Sequence, residues 1–226
     1  VKPHIRIGKV FYNRTYWNED AMIQVDRALK KDPDNVEAHL VKGKLFRDEG
    51  LIEKASEQFE RTLELDPDNA EAHYRIGLIY QSEQLFEFAI EQYKLAIASD
   101  SDLSEPMFDD EPFGLQARLR LARIYQQQDS QKFGENIQLL SELVAKEPDS
   151  EKVSQITNEL VNVFDKSVEL LEEVYNKDPS YTEAKQTLID VLYRKAESLE
   201  RIPNLRLYGQ ALKQYERIVQ ISPNEA

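Results

Sequence analysis

With 226 residues, of which 41% are hydrophobic and 31% charged, the chain can bury a sizeable core and is not of disordered composition. Only seven glycines stand against abundant Ala, Leu, Glu, Gln, Lys and Arg, which favours helix over sheet. A net charge of −13 opposes nucleic acid and anionic membrane as partners, and zero cysteines exclude disulfides, thiol nucleophiles and thiolate metal sites.

In chain order, the first predicted helix pair runs from about 2 to 35. Tyr12, Ala21, Ala28 and Pro33 hold positions that recur later, but Lys9 stands at a close-approach site with Gly8 one place early, so this unit is degenerate. The next two pairs, 36 to 69 and 70 to 103, repeat with a period of 34: Gly43 and Gly77, Phe46 and Tyr80, Ala55 and Ala89, Phe59 and Tyr93. Pro33 and Pro67 keep the same period inside Lys31-Asp32-Pro33-Asp34-Asn35 and Leu65-Asp66-Pro67-Asp68-Asn69. Proline cannot continue a helix, and the Asp-Asn that follows is suited to cap the next one; Asp149 and Ser150 are placed alike. Small residues at 43, 55, 77 and 89 are expected where two helix backbones approach, with the aromatic residues filling the space beside them.

An acidic insertion, 104 to 114, then breaks the spacing. Its Met107, Phe108 and Phe113 are expected to fold back on the stack, with a tethered pseudo-ligand for the binding surface as the alternative. The pattern restarts at Leu121, Ala122 and Tyr125, and this fourth pair, 115 to 148, is expected to turn at 130–133 before Leu140, Leu143 and Pro148. The fifth, 149 to 179, carries Val153, Ile156, Leu160 and Val163, then Val168, Leu171, Val174 and Tyr175, at helical spacing. Asp165 there marks either a turn or a bend. The sixth, 180 to 223, has Ala184, Leu188, Val191 and Tyr193, then Ala211, Tyr215 and Ile218, with an enlarged turn at 199–209 containing Pro203.

The order glycine, aromatic, alanine, aromatic, proline at 34-residue spacing resembles the tetratricopeptide repeat, a helix-turn-helix unit of this length. The resemblance is strongest at 36–103 and looser elsewhere. It implies one all-α domain over 1–226, a right-handed α-solenoid of about six such repeats. No stretch of about 18 apolar residues occurs and the chain opens on Val1, so a soluble piece of a longer protein is expected, with the cytoplasm the favoured compartment.

Little in the sequence points to catalysis. His39 and His73 share one repeat position, where the family often has a large aromatic residue, and with His4 they form no metal-binding spacing. Asp100-Ser101-Asp102-Leu103-Ser104 with Glu111 imitates a calcium loop, but Glu105 stands where glycine is required and Pro106 follows. No nucleophile elbow, Walker sequence or dinucleotide fingerprint occurs. The expectation is a protein with no enzyme activity, no metal and no cofactor.

In tetratricopeptide stacks the first helices line the concave groove and the second helices form the outer wall, a geometry that the resemblance supplies. Over the six first-helix windows (2–15, 36–49, 70–83, 115–128, 151–163, 182–195) the charge totals +6; over the second-helix windows (19–32, 53–66, 87–100, 132–147, 165–178, 208–221) it totals −9. In the family register Arg6, Val10, Asn13 and Arg14, then Leu40, Lys44 and Arg47, then Tyr74, Leu78 and Gln81, then Leu119, Arg123 and Gln126 point into the groove. The chaperone-binding members' Lys/Asn set is absent, since its sites read Arg6, Val10, Val41, Glu71 and Arg75. The expected function is a scaffold holding a protein or peptide segment, carboxylate-bearing, in that groove, with no nucleic acid and no direct membrane insertion. The alternative is an assembly or self-association module of a larger complex, one associated with a membrane included.

Overall fold

The computed structural model describes residues 18–100, 112–147, 150–202 and 207–223, and every element among them is a helix. In chain order these are α1 (Asn18–Lys31), α2 (Val36–Asp48), α3 (Ile52–Leu65), α4 (Ala70–Ser82), α5 (Phe86–Ser99), α6 (Phe113–Lys146), α7 (Glu151–Val161), α8 (Asp165–Lys177), α9 (Thr182–Arg201) and α10 (Tyr208–Ile221). By contact the chain divides into two compact units, Val1–Ala117 and Arg118–Ala226.

The first unit shows why the 34-residue phrase produces helix pairs. Asn35 and Asn69 sit in extended backbone ahead of α2 and α4, and each side-chain oxygen accepts the N–H three residues on, of Ala38 and Ala72, at 3.0 Å. Each amide nitrogen donates back to the aspartate before the proline, Asp32 at 3.0 Å and Asp66 at 2.9 Å. At the other end of the first helices, Gly50 and Gln84 adopt left-handed backbone (φ 76° and 62°), and the next N–H reaches back to the carbonyls of Phe46 and Tyr80. The chain thereby reverses tightly into α3 and α5, and α2 packs on α3 as α4 packs on α5.

The close-approach positions are where the sequence places them. A methyl group at Gly43 would lie 2.5 Å from the Phe59 ring, and one at Gly77 would lie 2.7 Å from the Tyr93 ring. Ala55, Ala89, Phe59 and Tyr93 are completely buried. Apolar clusters join successive helices: Ala21, Val25 and Ala28 of α1 with Val41 and Leu45 of α2, then Leu40 and Phe59 with Ala72, Ile76 and Ile79 of α4.

In the second unit the fourth predicted pair is a single helix, α6, unbroken through 130–133. The expected turn is overturned for a local reason: Gln126 to Lys132 contains neither glycine nor proline, and the Ser130 hydroxyl donates to the Gln126 carbonyl inside the helix (2.7 Å). Gly134, just beyond, is a weak point that the helix tolerates on its exposed side. Phe133 and Leu140 are buried in a core that includes Leu160, Leu171, Leu188, Leu192 and Leu199. At the fifth pair the open question at Asp165 resolves as a turn: Phe164 takes φ 72°, and its N–H donates to the Asp129 carboxylate (3.2 Å) before Asp165 opens α8. The last pair is α9, longer than its predicted window, packed on α10. Pro148, Asp149 and Pro203 lie outside the described residues.

Candidate partner-binding site

Within the first unit, the first helices α2 and α4 meet through charge as well as through the apolar cluster. One carboxylate oxygen of Glu71, at the start of α4, accepts from Lys44 of α2 (2.9 Å) and from Nη2 and Nε of Arg75 one turn on (3.0 and 3.2 Å). The three side chains retain only 12–15% of their exposure. Burial pushes the Glu71 carboxyl up, but the two cations outweigh it and hold it below the ordinary carboxylate range.

An aromatic rim adjoins this cluster. The Arg75 guanidinium lies 5.8 Å from the Tyr74 ring centre and 5.6 Å from that of Phe113. Tyr74 and Phe113 are 5.7 Å apart, and Tyr74 and Tyr93 are 5.9 Å apart. Phe113 therefore folds back onto α4, at a point fixed by Asp100, whose carboxylate accepts the Gly114 N–H at 2.5 Å. Met107, Phe108 and the remainder of the calcium-like stretch, 101–111, lie outside the described residues.

The residues expected in the groove have distinct surroundings. Leu40 and Tyr74 are buried at 9% and 4% exposure, and Leu40 belongs to the apolar cluster between α2 and α4. Arg47 is paired with its neighbour Asp48 (2.8 Å) and is partly exposed. Leu78 is partly exposed, and the Gln81 oxygen accepts from the Tyr93 hydroxyl at 2.6 Å. In the second unit Leu119 is buried, and Arg123 bonds Glu183 (2.8 Å) and Thr187 (3.4 Å) on α9. Arg6, Arg14, Val10 and Asn13 lie outside the described residues, as does His4.

Two features escape a reading of the groove register alone. Glu71 and Arg75 stand four apart on one helix, a spacing legible in the sequence, yet the bridge to Lys44 requires α2 and α4 to be neighbours. The histidines do more than fill space. His39 meets the Gln58 side chain (2.9 Å) and the Pro33 carbonyl (2.8 Å), and His73 meets Gln92 (2.8 Å) and the Pro67 carbonyl (2.9 Å). Each imidazole thereby ties a first helix to its paired second helix and to the preceding turn.

Family models match two stretches of the chain, one described as TPR repeat over residues 43–84 and one as tetratricopeptide repeat over residues 70–103. No curated protein matches the sequence. Among solved structures, a crystal structure of MamA protein aligns over 99% of this chain and 92% of its own, at 20% identity and a TM-score of 0.58. MamA 41-end from Desulfovibrio magneticus RS-1 aligns over 99% and 96%, at 14% identity and a TM-score of 0.55. At these identities the likeness concerns the fold. Repeat phrase, capped helix pairs, glycine-on-aromatic contacts and family matches agree, and the chain carries tetratricopeptide repeats over residues 43–103.

Proposed function

We propose that the chain is a protein-interaction scaffold whose first helices receive a partner segment bearing carboxylates. The observation that carries this reading is the Lys44–Glu71–Arg75 cluster, where cations from two successive first helices meet at one carboxylate beside an aromatic rim. Charge-assisted hydrogen bonds to such a group contribute about 1.5–3 kcal/mol each, more than an exposed ion pair in water. Leu78 and Arg47 extend the surface with apolar and cationic contact, and Arg6 and Arg14 are its further candidate residues. A protein partner is favoured over nucleic acid by the overall charge of −13. We assign no catalytic role to any residue.

The test is a screen of the full chain against an array of random linear peptides. Enrichment of Asp, Glu or a free C-terminal carboxylate is expected. Arg75→Gln should weaken the enriched peptides about tenfold and flatten their salt dependence. Peptides without acidic enrichment, or equal binding by the variant, would overturn the reading. Lys44→Glu is a poor probe, because it would set a second carboxylate against Glu71; Lys44→Gln removes the charge without that repulsion.

A further inference from the structure

Helix α4 departs from its own repeat in a way that packing does not require. One repeat earlier, the positions of Tyr74 and Arg75 hold Leu40 and Val41, and both of those pack in apolar clusters. At α4 a guanidinium takes the place of valine, and its side chain keeps only 14% of its exposure. Withdrawing a charge from water costs free energy, so the arginine has to be held by something other than core packing.

Two kinds of contact hold it. Nε and Nη2 both donate to one oxygen of Glu71, and the Tyr74 and Phe113 rings lie 5.8 and 5.6 Å from Cζ. The rings also meet each other, 5.7 Å apart and tilted by 41°, so they form one bracket on the guanidinium. Glu71 thus takes one edge of the planar fork, and Nη1 meets no acceptor among the described residues.

Tyr74 belongs to the same helix as Arg75, so Phe113 is the half of the bracket that tertiary structure has to supply. Its place is set by a remote cap. Helices α2 and α4 are capped by the asparagine directly before them, whereas the Gly114 N–H at the start of α6 donates to Asp100, fourteen residues back at the end of α5 (2.5 Å). The fit is tight: a methyl group on Gly114 would lie 2.6 Å from that carboxylate oxygen and 2.9 Å from Asp100 Cβ. This tie fixes where the first turn of α6, and with it the Phe113 ring, meets α4.

We infer that Phe113, fixed by Asp100, is a positioning residue that holds the Arg75 guanidinium in one plane and presents its Nη1 edge to a partner's carboxylate. The inference rests on the reading of this surface as one that receives carboxylates, and it names the residues that prepare its arginine. A free arginine loses orientation when it makes a contact, whereas a bracketed one has lost it already, so affinity is gained by preorganisation. Lysine would not serve, because a point charge has no plane to hold.

Arginine-selective NMR of the full chain reads the bracket without any ligand. Rotation of the Arg75 guanidinium about Nε–Cζ should quicken about fivefold in Phe113→Leu and stay as in the wild type in Phe113→Tyr. Asp100→Ala should behave as Phe113→Leu does, and Asp100→Asn, which keeps an acceptor, as the wild type does. Binding is read with an acetylated, amidated oligo-glutamate peptide, with oligo-glutamine as its neutral counterpart. Phe113→Leu should weaken oligo-glutamate about fivefold and add nothing further on an Arg75→Gln background. Unchanged rotation in Phe113→Leu, undiminished binding by that variant, or an equal loss on the Arg75→Gln background would overturn the positioning role and leave the reading of the surface standing. A wild type without preference for oligo-glutamate would overturn both.

Discussion

Glycine at 43 and 77 is required by contact, although both residues sit in helices where alanine is intrinsically better by about 1 kcal/mol. Because an added methyl would meet Phe59 or Tyr93 at 2.5–2.7 Å, overpacking wins and Gly43→Ala or Gly77→Ala should lose about 1–3 kcal/mol. At Gly134 an added methyl would have nothing within 4 Å, so Gly134→Ala should gain about 0.5–1 kcal/mol. Denaturant midpoints of the three variants check the opposite signs. Glu71 provides a second test, in pH. Its folded carboxyl is held down by Lys44 and Arg75 against its burial, so its contribution is complete above the unfolded pKa and is lost as pH falls through the folded value. Thermal melts across the acidic range should show that loss in the wild type, and Glu71→Gln should be less stable at neutral pH and flatter in acid.

Among the elements, the most instructive is α6, because a repeat register alone predicts two helices where one occurs. Period and apolar spacing locate Leu121, Ala122, Leu140 and Leu143 correctly on helix, but a turn also needs residues that break one, and 126–132 has none. The converse holds at α7 and α8, where no glycine or proline announces the turn and a tertiary contact makes it: the Phe164 N–H, in left-handed backbone, is satisfied by Asp129 of α6. Burial pushes the Asp129 carboxyl up, with Phe164, Lys166 and Lys132 pulling it partly back. The charged form therefore carries a desolvation cost above the folded pKa that is relieved as pH falls through it. Asp129→Asn keeps the acceptor without the charge and should match or exceed the wild type at neutral pH, whereas Asp129→Ala orphans the N–H and should lose about 1 kcal/mol, as read by urea midpoints.

For the whole molecule, the division of charge between helix layers is legible as arithmetic, but its meaning is not. Lys44, Arg47 and Arg123 count as groove cations in the family register; each has a carboxylate within 3.0 Å, two of them supplied by helices distant in sequence. A binding surface depends on the charge left after pairing, and pairing is a property of which helices become neighbours. The cluster of Lys44, Glu71 and Arg75, with its aromatic rim of Tyr74 and Phe113, can be recognised only once α2, α4 and the start of α6 stand side by side. By itself the sequence determined the helical repeat, its 34-residue period, the Asn caps and the glycine-aromatic contacts, because each is set by residues within one unit of the chain. Tertiary structure alone decided where α6 continues, where Phe164 turns and which cations are neutralised, because those depend on partners that local propensity does not encode.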